Sequence, residues 1–112
     1  MAVVNQYKFF GVTSTAAETA TMLSPLISET IIIKSLHVTN KSASNTPTIT
    51  ITNNAFQVIN TQTLSTAASV EILTNPMVVE GNTLLKYTTA GTVTDGVVIT
   101  ISYLNIKKEV TT

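Results

Sequence analysis

Alternating apolar and polar residues form the strongest pattern in this chain, and the alternation is clearest between residues 47 and 53. Ile49 and Ile51 are separated and flanked there by threonines. A period of two places successive side chains on opposite faces of a β-strand. The segment therefore predicts a strand with its isoleucines in a core and its threonines on the other face.

A second regular strand is predicted over residues 97–106. One face carries Val97, Ile99, Ile101 and Tyr103, and the opposite face carries Thr100 and Ser102. Leu104 and Ile106 then make the last part of the strand apolar on both faces. Because an antiparallel strand with one solvated face keeps that face polar, we expect another element or subunit to cover this end.

The remaining chain divides into short apolar segments separated by turn residues. A long central strand is predicted over residues 31–40, with Leu36 and Val38 facing inward after a start that is apolar on both faces. Weaker strands are predicted over residues 7–13, 19–23, 56–61, 69–73, 76–79 and 84–88. Residues 15–18 match a helix capping box, but threonines and Pro25 follow, so we predict a loop and then a strand.

Asp95-Gly96 gives two alternative predictions for the connection before the last strand. Asp-Gly is typical of a two-residue hairpin turn, here between strands at residues 92–94 and 97–101. Alternatively, residues 90–96 form one wider loop. Either alternative makes the last two strands antiparallel.

Short strands between regularly spaced turns are typical of a β-sandwich or barrel. We therefore predict an all-β protein: a single antiparallel β-sandwich, either jelly-roll or immunoglobulin-like, with about eight short strands. At 112 residues the chain is expected to form one domain, residues 1–112. Residues 1–15 are either its first strand or an N-terminal arm.

Composition supports this fold class and narrows the function. The chain has 22 Thr, 12 Val and 11 Ile, so β-branched residues occupy 45 of its 112 positions. Only 11% of the residues are charged, against roughly 25% in ordinary soluble domains, and the net charge is zero. Nucleic-acid binding needs a basic surface, and Lys107-Lys108 is the single basic pair, so no nucleic-acid partner is expected. A neutral, charge-poor surface favours association instead.

Targeting signals are not evident in the sequence. The first ten residues lack the basic region and long apolar stretch of a signal peptide. The longest aliphatic run is Ile31-Ile32-Ile33, which is far too short to span a membrane. Synthesis in a cytoplasm and no membrane partner are the expectations.

Residues capable of catalysis are few and scattered. His37 is the single histidine, it falls on the polar face of a predicted strand, and there is no Cys, so no metal site or nucleophilic triad is predicted. Glu71 and Glu80 are expected to be solvated charges beside turns rather than a glycosidase pair. Asp95 is the only Asp, which argues against a carboxylate-rich calcium loop. We predict that the protein is not an enzyme and binds no cofactor.

Apolar side chains near the two ends of the chain are the candidate contact residues. The N-terminal segment is rich in aromatic residues, which anchor protein interfaces disproportionately. The predicted partner-interface residues are Val3, Val4, Tyr7, Phe9, Phe10, Leu104 and Ile106. A strand that fills the sandwich would explain residues 7–12 equally well.

Four segments carry a resemblance to a known family. They are residues 21–41, which include Ile31-Ile-Ile-Lys-Ser-Leu-His-Val-Thr-Asn40, and residues 64–73, 77–84 and 98–106. In order and spacing they resemble small β-sandwich virion proteins of tailed bacteriophages, including capsid decoration (cement) proteins and related head or tail accessory proteins. The similarity covers residues 19–106. Where those proteins commonly have Gly-Asp in one turn, this chain has Gly81-Asn82.

The resemblance implies a non-catalytic protein that assembles in many copies on a virus particle. A capsid decoration protein binds the assembled shell and bridges its capsomers. The expected partners are therefore the major capsid protein and further copies of this chain, a trimer being common among the related proteins, and the expected location is the virion surface. The alternatives are a tail, neck or fibre-associated virion protein and a carbohydrate-binding surface module.

Overall fold

Nine β-strands make up the ordered framework. The computed structural model describes the backbone of residues 3–108 and the side chains of residues 4–108, and within that part of the chain no helix occurs. The strands are β1 (Val3–Ser14), β2 (Thr19–Leu23), β3 (Glu29–Asn40), β4 (Thr48–Asn53), β5 (Phe56–Thr63), β6 (Ser69–Glu71), β7 (Met77–Val79), β8 (Leu85–Ala90) and β9 (Val97–Lys108).

The strands form two antiparallel sheets. The first has the order β1-β9-β3-β6, with β7 also on the free side of β3, and the second has the order β2-β8-β4-β5. The pairs are nested, since β1 pairs with β9, β2 with β8, β3 with β6 and β7, and β4 with β5. A chain folded in half in this way and rolled into two sheets is a jelly-roll sandwich, so the all-β prediction is confirmed.

The core lies between the two sheets and is mostly aliphatic. Ile49 and Ile51 of β4 are fully buried, as are Leu36 and Val38 of β3, and all four were predicted to face inward. From β9, Val97, Ile99 and Ile101 are fully buried on the predicted face. Alternate residues of each strand thus fill one core, as the period of two requires.

Of the two alternatives predicted for the connection before the last strand, the wide loop is confirmed. Residues 91–96 form a single wide loop, and β8 and β9 lie in different sheets, so the Asp95-Gly96 hairpin is wrong. Gly96 does have a positive φ of 106°, and its N–H donates a hydrogen bond to the Val93 carbonyl. The Asp-Gly pair therefore makes a tight turn inside a loop that crosses from one sheet to the other.

The two ends of the sandwich are formed by different sets of loops. The lower end, as we name it, holds the start of β1, the end of β9 and the loops at residues 24–28, 54–55 and 80–84. The upper end holds the loops at residues 15–18, 41–47, 64–68 and 91–96. Two of the lower loops approach each other closely at Gly81. A Cβ at this position would lie 2.6 to 2.8 Å from three backbone carbonyl oxygens of residues 26–29, so only glycine fits there.

Candidate interaction surface

Large apolar side chains are exposed mainly between the middle of the sandwich and its lower end. Such exposed residues in the described part of the chain are Val4, Tyr7, Phe9, Leu26, Ile27, Phe56, Val58, Val70, Val78 and Leu84. Only Val70 lies nearer the upper end, where β6 pairs with Val38. Single exposed apolar residues are ordinary, but a concentration of them marks a contact surface.

Four neighbouring strands of the first sheet, β1, β9, β3 and β7, carry one continuous line of apolar side chains across its outer face. Tyr7 of β1 lies opposite Leu104 of β9, Leu104 lies opposite Ile32 of β3, and Ile32 lies opposite Val78 of β7. Side chains directly opposite each other on neighbouring strands are about 5 Å apart at Cβ, so these four are in contact distance. We call these four residues the apolar row.

Two further apolar side chains extend the row along the strands. Phe9 is two residues from Tyr7 on the same face of β1 and is 69% exposed, while Tyr7 itself is 79% exposed. Ile106 follows Leu104 on β9 and is half-buried. Phe9 and Tyr7 border a shallow cleft whose wall includes two basic residues, Lys8 and Lys34.

The structure divides the candidate contact residues between two faces. Tyr7, Phe9, Leu104 and Ile106 share the outer face, as the alternation in the β1–β9 register requires. Phe10 instead turns inward and packs, half-buried, against the core, and Val4 shares that inner face. The backbone of Val3 belongs to β1, but its side chain lies outside the described residues.

Sequence reasoning missed Ile32 and Val78, which are the two residues of the apolar row on β3 and β7. Their signal was present, because Ile31-Ile32-Ile33 and Met77-Val78-Val79 are both apolar on two faces, like the end of β9. What could not be predicted is that β7 pairs with the first part of β3. That pairing places three segments that are apolar on both faces, one each in β9, β3 and β7, side by side.

Below the second sheet, the inner face of the long strands β1, β3 and β9 is polar. A cleft there is lined by Val4, Gln6, Lys8, Glu29, Asn105 and Lys107. Glu29 accepts hydrogen bonds from the Leu26 backbone N–H at 2.7 Å and from Asn105 Nδ2 at 3.1 Å. The Leu26 bond first, then the Asn105 bond and the positive charges of the two lysines, lower the pKa of Glu29 below its ordinary value. The ionised Glu29 carboxylate therefore joins the loop at residues 24–28 to β9 through these two hydrogen bonds.

His37 and Glu71 form an ion pair that joins β3 to β6. His37 Nε2 lies 3.2 Å from a Glu71 oxygen on the outer face. The Glu71 carboxylate also accepts hydrogen bonds from the backbone N–H groups of Leu36 and Leu73. Partial burial raises the pKa of Glu71, but these bonds, one from Ser35 and the His37 charge together lower it. All of its oxygens are thus occupied in tying β6 and the following residues to β3.

A second polar cluster lies at the upper end and is also structural. The Tyr87 hydroxyl donates to Glu18 at 2.8 Å, and Ser14 Oγ donates to the same carboxylate at 3.1 Å. Thr89 Oγ1 accepts from the Glu18 backbone N–H. Burial and the neighbouring Glu18 raise the pKa of Tyr87. The cluster satisfies the buried polar groups where the loop at residues 15–18 closes over the core.

Neither a metal site nor a membrane-spanning helix occurs among the described residues. Within residues 3–108, no three His, Cys, Asp or Glu side chains are grouped so as to hold a metal ion. Within that range there is also no helix with the length and apolarity needed to cross a bilayer.

No family model, curated protein or solved structure matches this chain. The apolar row is therefore the strongest functional candidate that the structure itself provides.

Proposed function

We propose that this protein is a non-enzymatic structural protein of a phage virion, a capsid decoration protein that docks on the assembled shell through the apolar row. The observation that carries the proposal is the row itself, which crosses four strands on the outer face of the five-stranded first sheet. A solvated sheet face is normally polar, so this one is built to be covered. The family resemblance supplies the identity of the covering surface.

Docking of this kind works through buried area rather than through chemistry. Burying apolar surface contributes roughly 25 cal/mol per Å2, and the entropy of association offsets much of that gain. A single site would therefore bind weakly. Copies joined to one another and touching neighbouring capsomers would bind far more tightly, because the second contact forms at high effective concentration. The proposed partners are accordingly the major capsid protein and other copies of this chain, on the virion surface.

The charge distribution supports a contact of low polarity. The chain carries only six basic and six acidic residues, and the cleft beside the row is lined by two of the basic ones, Lys8 and Lys34, and by no acidic residue. Binding through such a surface is not steered by long-range charge, so its affinity should depend little on salt. Salt-insensitive binding separates this proposal from attachment to packaged DNA, which salt weakens steeply.

A carbohydrate-binding module is the second candidate, and one observation favours it. Tyr7, Phe9 and Tyr103 border the same shallow cleft together with Lys34 and Ser102. Aromatic rings beside polar groups can stack on sugar rings, and lectins share the jelly-roll architecture. Binding of a glycan array that is lost on Phe9→Ala would favour this candidate over shell docking.

The test is binding to empty shells made of the major capsid protein of the phage that encodes this chain. Leu104→Lys places a charge in the middle of the row and should abolish binding, measured by co-sedimentation. Thr100→Lys is the matched control, because Thr100 is on the same strand and face but nearer the upper end. Thr100→Lys should bind like the wild type. Equal binding by both variants contradicts the proposal, and binding to tails rather than to shells favours the tail or neck alternative.

A further inference from the structure

One edge of the first sheet differs from every other sheet edge in the described chain. β1 is twelve residues long and pairs with β9 without a single register shift, from Val3 opposite Lys108 to Ser14 opposite Val97. Within residues 3–108, no strand pairs with the other side of β1. A long regular edge presents a row of unpaired backbone N–H and C=O groups, which is a template for another strand.

The other edges carry the features that block such pairing. β2 has five residues and a register shift between Thr21 and Leu23. β6 and β7 have three residues each. β5 has two register shifts against β4, and Thr61 within it has a positive φ of 38°. Shortness and bulges are two usual protections of exposed edges, and β1 has neither, while its single charged side chain is Lys8.

We infer that β1 pairs with β1 of a second copy, in antiparallel orientation about a two-fold axis that passes beside Tyr7. The axis is normal to the sheet, because directly opposite residues of an antiparallel pair point to the same face. The two first sheets then join into one continuous sheet. This inference is independent of what the outer face binds, because it concerns only the isolated chain.

Side-chain matching selects Tyr7 as the centre. With Tyr7 opposite Tyr7 of the second copy, Gln6 lies opposite Lys8 and Val4 lies opposite Phe10, so like side chains meet on the inner face. On the outer face Asn5 lies opposite Phe9 and flanks the central tyrosine pair. A centre at Lys8 would place two lysines directly opposite each other, which is destabilising. A centre at Phe9 would place Lys8 opposite Phe10 and Gln6 opposite Val12.

The Tyr7 centre also aligns the outer surfaces of the two copies. The apolar row ends at Tyr7 on the β1 edge, so two rows would meet end to end and form one line across both sheets. An isologous contact of this kind closes as a dimer. It differs from the trimer that the family resemblance leads one to expect, and the mass of the species in solution distinguishes the two.

Cysteine cross-linking of the full chain tests the pairing, because the natural sequence has no Cys. Tyr7→Cys should form a disulfide-linked dimer under mild oxidation, since directly opposite Cβ atoms are within about 5.5 Å. Phe9→Cys is the matched control, exposed on the same face, and in this register the two Phe9 positions are about 13 Å apart, too far for a disulfide. Its dimer yield should be at least tenfold lower.

Sedimentation of the unmodified chain gives an independent readout. It should show a concentration-dependent species of twice the chain mass of 11.9 kDa. Tyr7→Lys should remove that species, whereas Thr13→Lys, which lies on β1 beyond the paired segment, should retain it. Equal cross-linking by both cysteine variants, cross-linking through Phe9→Cys alone, a trimer, or a monomer at all concentrations would each overturn the inference. None of these outcomes involves a virus shell, so the proposed function stands or fails separately.

Discussion

The aromatic residues of β1 should contribute little to the stability of the folded chain, and this can be measured with Tyr7→Thr combined with Phe9→Thr. Threonine is chosen because it keeps the preference for strand. Tyr7 is 79% exposed and Phe9 is 69% exposed, so only about a fifth of Tyr7 and about a third of Phe9 is buried. Removing a fully buried aromatic side chain costs about 3–5 kcal/mol, so the double variant should lose about 2 kcal/mol or less.

A conservative core variant provides the comparison. Ile101 is fully buried, and Ile101→Val should cost about 1 kcal/mol for a single methylene. Two entire aromatic side chains on the surface should therefore cost at most about twice as much as one methylene in the core. The assay is urea unfolding followed by far-ultraviolet circular dichroism, at a concentration where the chain is monomeric, so that association does not contribute. A loss above about 4 kcal/mol would refute the reasoning, because the rings would then belong to the core.

Three further predictions concern the ends of the sandwich. Gly81→Ala should lower the free energy of unfolding by about 2 kcal/mol in urea titrations, because its Cβ would overlap backbone carbonyl oxygens of the loop at residues 24–28. Asn40→Ala should cost about 3 kcal/mol in the same assay, since the buried side chain donates to the carbonyls of Asn45 and Ser65 and accepts from the Ser42 N–H. Above pH 10, the ordinary pKa of tyrosine, the unfolded chain should ionise before Tyr87 in the folded chain, because burial and Glu18 raise the folded pKa. The stability that Tyr87 contributes should then be lost as pH rises through that folded value, and Tyr87→Phe should remove this part of the alkaline loss.

Controls for these predictions come from the same loops and strands. Gly91→Asn, at a positive φ of 89° that asparagine adopts more readily than most residues and with its Cβ in ordinary contact with Pro47, should cost less than Gly81→Ala, and equal losses at Gly91 and Gly81 would contradict the steric argument. Thr46→Ala, at an exposed position in the loop that Asn40 supports, should be nearly neutral. An unchanged alkaline profile in Tyr87→Phe would show that Tyr87 is not the group responsible.

Strand periodicity predicted the inward and outward faces well, because that information is local. Each residue's face follows from its neighbours two positions away, and the core positions of β3, β4 and β9 were assigned correctly from the sequence. The wide loop at residues 91–96 was ambiguous for the opposite reason. Whether two strands form a hairpin or cross between sheets depends on the global winding, which a dipeptide does not encode.

The apolar row could be predicted only in part for a similar reason. Leu104 and Tyr7 were candidate contact residues, but Ile32 and Val78 join them through pairings between segments far apart in sequence. A two-sided apolar segment can equally be buried on both faces, as in the middle of a layered structure. Only the structure shows that the outer side of all three segments is left without a covering layer within the described residues.

Counting this protein in purified particles tests the account most directly. The proposed function predicts that phage particles purified from cells expressing this chain carry it on the outer surface of the shell, in a copy number comparable to that of the major capsid protein, as measured by quantitative gel analysis or cryo-electron microscopy. The outer face of the β1-β9-β3-β7 sheet should lie against the shell. Absence of the protein from purified particles, or a particle in which that face points to solvent, would contradict the account.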